Sequence, residues 1–124
     1  MNDNNSPLAE AVWNQAALRE RVEHDEELLR ELLTIFDEDF PRMTKSLEAA
    51  VAGGDLKSTG TLSHTLKGML LNLGGERAAA AAAKLESLAR TGEEAALKDA
   101  LEAFQREAAS LLPELKAYIP EVRG

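Results

Sequence analysis

The stretch at residues 54–75, "GDLKSTGTLSHTLKGMLLNLGG", decides the fold. It opens on Asp55, whose carboxylate can accept hydrogen bonds from the free amides of a first helical turn, and it closes on Gly74 and Gly75, which suit a helix end. Between them Leu62, Leu66, Met69 and Leu73 follow at steps of four, three and four, the spacing of a single helical stripe. At roughly 100° per residue, His64 stands about 200° around the helix from Leu66. These residues predict an amphipathic helix that turns the four apolar side chains inward and leaves His64 in water.

The flanking sequence repeats the pattern. From Leu8 onward nearly every window is rich in Ala, Leu, Glu, Lys and Arg, and strict alternation of β-branched residues is absent, so the class is all-α. Capping or stop signals at "HDEE" (24–27), "GGD" (53–55), "GG" (74–75), "TGEE" (91–94) and Pro120 divide the chain into a short leader helix and four longer ones. In the first long helix Leu29, Leu32, Phe36, Phe40, Met43, Leu47 and Ala50 form one stripe, with Pro41 predicting a kink or local break. In the last, Leu97, Leu101, Phe104, Ala108, Leu111 and Leu115 form another, with acidic residues near the start, Lys116 near the end, and closure before Pro120. The intervening "ERAAAAAAKLESLAR" (76–90) offers small side chains against which a neighbour packs closely. Short connections imply an antiparallel up-down-up-down four-helix bundle over residues 8–120, with Trp13 packing the leader helix over one end. The Asn-rich residues 1–7 have the composition of a flexible tail or linker.

Composition narrows the function classes. A chain of 124 residues, 44% hydrophobic, supports one modest core, and a deep cofactor cavity beside it is disfavoured. The net charge of -8 and the scattered Lys and Arg offer no surface for a phosphate backbone, which argues against nucleic acid as a partner. With no cysteine there is neither disulfide nor thiolate metal site. No apolar stretch reaches the roughly 18 to 20 residues a membrane span needs, and the polar start lacks the pattern of a secretory signal. A cytoplasmic monomer that needs no membrane and no intrinsic cofactor is the expectation.

The chemistry gathers at His64. Gly60 and Gly68 lie one turn before and one turn after it, and Lys67 lies beside it at i+3. Glycine inside a helix costs about 1 kcal/mol relative to alanine, so two of them around one histidine call for a reason other than helix stability. A site that must be closely approached supplies one. Neutral imidazole is a competent nucleophile near pH 7, so phosphorylation at a ring nitrogen is feasible. Lys67 would then offer an ammonium to the phosphoryl oxygens.

The run His64, Leu66, Lys67, Gly68, then Leu73-Gly74, then Leu85-Glu86, resembles the signature of histidine-containing phosphotransfer (HPt) domains, with the order His-x-Leu-Lys-Gly, a downstream Gly, and Leu-Glu on the next helix. The match covers about residues 14–115. The resemblance implies that His64 takes a phosphoryl group from the phospho-aspartate of one receiver domain, with a hybrid histidine kinase among the partners, and passes it to the aspartate of another. It further implies that the receiver carries Mg²⁺, that Lys67 is the electrostatic helper and that Gly68 admits the receiver. One departure stands out: positions just after Lys-Gly are often small in the family and are Met69, Leu70 and Leu71 here. Leu71, about 20° from His64 on the helical wheel, is expected to be an exposed apolar docking contact.

His24, in the acidic stretch "VEHDEELL" without glycine or lysine at neighbouring turn positions, reads as structural. A diiron bundle would need Glu-x-x-His pairs on two helices, and the chain has none. An autonomous kinase would need a Gly-rich nucleotide-binding segment, which is also missing. The remaining alternative is a helical-bundle interaction module that docks partners without being phosphorylated.

Overall fold

The computed structural model describes residues 12–123, with side chains as far as Tyr118. The expected tail at 1–7 and the expected domain start at Leu8 lie outside the described residues. Five helices follow in order: α1 (Gln15–Arg21), α2 (Glu26–Ala52), α3 (Leu56–Leu73), α4 (Glu76–Thr91) and α5 (Glu94–Arg123). The described residues contain no strand.

The boundaries have local causes. Asp25 caps α2 by accepting from the amides of Glu27 and Leu28, and Asp55 caps α3 by accepting from Ser58 at 3.0 Å. The Ser58 amide bond holds the Asp55 carboxyl below the usual carboxylate range. Gly74 ends α3 in the left-handed region at φ 84°. A Cβ there would lie 2.2 Å from the backbone oxygen of Asn14, so glycine is required by backbone angle and by space alike.

The helices close a ring in which α2 packs on α3, α3 on α4, α4 on α5 and α5 on α2, while the leader α1 rests on α3. This is the expected bundle. Phe36 and Phe40 stack at 4.6 Å, and Phe40 approaches Phe104 at 6.3 Å, which ties α2 to α5 through aromatic contact. The leader is pinned where the sequence placed Trp13. Its indole nitrogen donates to the Leu73 carbonyl at 2.7 Å, and its ring meets Tyr118 edge-on at 5.1 Å. The backbone amide of Asn14 donates to the Gly74 carbonyl at 2.9 Å.

Four expectations are corrected. The buried face of α3 is Thr59, Ser63, Leu66, Leu70 and Leu73, so Leu70 takes the place expected for Met69, and both Leu62 and Met69 are half-buried at its edge. The cause is that α3 is covered by two helices at once, which centres its buried arc between α2 and α4. In α2, likewise, Leu33 is buried while Leu32 and Met43 are half-buried. Of the kink or local break expected at Pro41, the break is absent, and α2 runs through the proline as one helix of 27 residues. Proline removes only the bond to the Asp37 carbonyl, and both residues are exposed where water can replace it, while buried Phe40 and Leu47 hold the helix on either side. Finally, α5 does not close before Pro120 but runs to Arg123. The fixed φ of proline is compatible with a helix, and the bond lost at Pro120 is to the carbonyl of exposed Lys116.

Candidate functional site

Helices α3 and α4 form an antiparallel hairpin about the glycine pair. Residues equally distant from the turn then lie at the same height. His64 is eleven residues before Gly75 and Glu86 eleven after, so the two face each other across the helix pair. His64 points outward with 67% of its side chain exposed, whereas Glu86, on the rim of α4, retains 15%.

Glu86 is the hub of the site. Its Oε2 lies 2.9 Å from Nδ1 of His64, its Oε1 accepts from Lys67 Nζ at 2.9 Å, and Arg90 Nη2 stands 3.7 Å from Oε2. The Lys67 hydrogen bond, joined by that of His64, holds the Glu86 carboxyl below the usual range against the opposing effect of its partial burial. An ionised carboxylate only accepts hydrogen bonds. The proton between Glu86 and His64 therefore sits on Nδ1, which donates, and in the neutral ring this tautomer leaves Nε2 with its lone pair free.

Beside the imidazole, on the side of the N-terminal turns of α3, lies a groove of about 440 Å³ between α3 and α4. Gly60, Thr61 and Thr65 line one wall, Ala89 and Arg90 the other, and Leu56 and Lys57 its far end. With Lys57, Lys67 and Arg90 around it, the groove and histidine form a locally cationic region on an acidic chain.

The sequence-derived site residues separate here. His64, Lys67, Gly68 and Leu71 share one exposed rim of α3. A Cβ at Gly68 would meet nothing within 4 Å, so this glycine leaves open space next to the imidazole. Leu71 is 44% exposed, one of three large hydrophobic side chains so exposed among the described residues. Gly60 turns toward α4, where a Cβ would sit 3.7 Å from Cβ of Ala89 in an ordinary contact, and it lines the groove beside His64. Lys67 is engaged by Glu86 instead of lying free. His24 occupies the α1–α2 turn at φ 60°, with its amide bonded to the Arg19 carbonyl, apart from this site.

Glu86 and Arg90 stand beside His64 in an arrangement that periodicity did not reveal. Their signal was available in the equal spacing of His64 and Glu86 from the glycine turn and in the i,i+4 spacing of Glu86 and Arg90. No group of three or more His, Cys, Asp or Glu among the described residues could hold a metal ion, and no helix among them is long and apolar enough to cross a membrane.

Comparison with known proteins bears on the same helices. The Hpt domain model matches residues 31–123. No curated protein matches the chain. Among solved structures, the crystal structure of histidine-containing phosphotransfer protein B (HptB) from Pseudomonas aeruginosa PAO1 is similar at a TM-score of 0.83 and 26% identity, over 91% of this chain and 98% of that one. A bundle that displays one histidine beside a carboxylate, matched over most of its length by that model, places this chain in the Hpt domain family of two-component phosphorelays.

Proposed function

We propose that His64 is the phosphoryl carrier of this domain, accepting at Nε2 from the phospho-aspartate of a receiver domain and delivering to the aspartate of another. The observation that supports this most directly is the bond from Nδ1 to Glu86, which orients the ring and directs its free lone pair outward. In the loading step that lone pair forms the N–P bond as the P–O bond to the aspartate breaks. The bonding electrons leave with the aspartate carboxylate. Nδ1 keeps its proton, so the phosphorylated ring is formally cationic and its charge faces Glu86. Unloading is the reverse, and neither direction needs a proton to be relayed.

The remaining residues fit around that step. Lys67 offers an ammonium one turn along α3 from His64, Gly68 leaves room for the receiver, and Leu71 offers it an apolar contact. Gly60 shapes the adjoining groove. The Mg²⁺ of the reaction belongs to the receiver, and a hybrid histidine kinase is the expected upstream donor. The chain has no kinase activity of its own in this reading, so ATP alone leaves it unlabelled.

The test is transfer from a receiver domain carrying labelled phosphoryl. Label should appear on the wild-type chain, be acid-labile and alkali-stable, and be absent from His64→Gln. Equal labelling of the variant, or a wild type that binds the receiver without taking label, would favour the interaction-module alternative.

A further inference from the structure

Three nitrogen-bearing side chains converge on one carboxylate at this site, and they are not equivalent. His64 and Lys67 are both at 2.9 Å from Glu86, on different oxygens. Arg90 is near enough to interact at 3.7 Å but is too long for a hydrogen bond, and 70% of its side chain is exposed. It sits one turn after Glu86 on the same helix, with its guanidinium free to move over the carboxylate.

Loading His64 changes the demand on these groups. A phosphoryl group brings about two negative charges and three strong acceptor oxygens. Lys67, 30% exposed and on the same rim of α3, is the ammonium within reach of them. If Lys67 turns to the phosphoryl oxygens, Glu86 loses the hydrogen bond that does most to keep it ionised, beside a new dianion. Its grip on Nδ1 depends on staying ionised. The cationic phosphorylated ring still faces Oε2, while the vacated Oε1 is left open to a second cation.

We propose that Arg90 is that cation, a positioning residue that receives the Glu86 carboxylate when Lys67 leaves it for the phosphoryl group. Arg90 closes from 3.7 Å to hydrogen-bonding distance and its planar fork spans both carboxylate oxygens, which a lysine ammonium cannot do as well. Glu86 thus stays on Nδ1 in both states, while Lys67 changes partner. The inference rests on the assignment of His64 as the phosphoryl acceptor. Arg90 acts only through Glu86, and its contribution is to the loaded state.

A double-mutant cycle on the loading equilibrium tests it, using the described chain and a receiver domain carrying labelled phosphoryl. Arg90→Gln should lower the fraction of label held by this chain by about threefold to tenfold in equilibrium constant, with Arg90→Lys recovering part of the loss. Circular dichroism should be unchanged, since Arg90 is mostly exposed. In a Glu86→Gln background the further change Arg90→Gln should have less than about a twofold effect. An Arg90→Gln variant that loads like wild type overturns the hand-over, as does a loss that persists undiminished in the Glu86→Gln background. The latter would mean that Arg90 touches the phosphoryl group or the receiver directly. Failure of the underlying reading looks different: wild type takes no label, or His64→Gln takes as much, and the hand-over then falls with it.

Discussion

The two faces of α3 are built from the same eighteen residues and do opposite work. The inner face, Thr59, Ser63, Leu66, Leu70 and Leu73, is buried between α2 and α4. The outer rim, with His64, Lys67, Gly68 and Leu71, is held in place by that burial but contributes little to it. Leu70 and Leu71 make the contrast most directly, because neighbouring leucines about 100° apart fall one in the core and one in water. Stability should therefore respond to one face and phosphoryl transfer to the other.

The largest expected effect belongs to the rim. His64→Gln should abolish labelling entirely while shifting the denaturation midpoint by less than about 0.5 kcal/mol, the usual range for an exposed position. Destabilisation comparable to a core substitution would break the separation of the two faces. On the inner face, Leu70→Ala should cost about 2–5 kcal/mol in urea unfolding by removing a fully buried side chain. Leu71→Ala should cost under about 0.5 kcal/mol and instead weaken receiver binding. Similar losses of stability at both positions would deny that the rim is free of the core.

Next in size is Gly68→Leu. The site is open, so helicity should persist, while obstruction of the approaching receiver should slow transfer about tenfold to a hundredfold in a rapid-quench measurement. Unchanged kinetics would show that the receiver approaches from elsewhere. Glu86→Gln sharpens the comparison further, because Glu86 touches only the rim yet is mostly buried. Transfer should slow by about tenfold as the carboxylate that faces the phosphorylated ring is lost.

The same substitution has a signature in acid. The folded-state pKa of Glu86 is lowered, so the unfolded chain binds the proton first as pH falls. Its contribution to stability is complete above the ordinary glutamate range near about 4.3 and is lost as pH drops through the lower folded-state value. Asp55, lowered by its bond to Ser58, follows the same sign. Glu86→Gln should flatten part of the acid-side decline in stability and leave the neutral-to-alkaline side alone. An acid limb identical to wild type would mean that the hydrogen bonds from Lys67 and His64 are too weak in solution to hold the carboxylate ionised.

Much of this was visible before any coordinates. The caps at Asp25 and Asp55, the glycine stop at Gly74, the leader pinned by Trp13 and the outward direction of His64 all follow from interactions within a turn or from periodicity along one helix. The errors came where neighbours compete. Met69 and Leu70 are equally apolar, and only the placement of α2 and α4 on either side of α3 selects Leu70 for the core. The prolines mislead for a related reason: helix propensity counts the lost backbone bond at Pro41 and Pro120, but not whether the orphaned carbonyl faces water or how firmly adjoining turns are packed.

The site divides in the same way. The one-dimensional pattern carries the helices, their order, the exposed histidine and the small and charged residues placed a turn from it, because each depends on angles of 100° per residue within one segment. The Glu86 carboxylate bonded to both His64 and Lys67, with Arg90 waiting beside it, arises only when α3 and α4 meet. Contacts between side chains 22 and 19 residues apart depend on the axial register and rotation of two helices, and those are fixed by how α3 and α4 pack on each other.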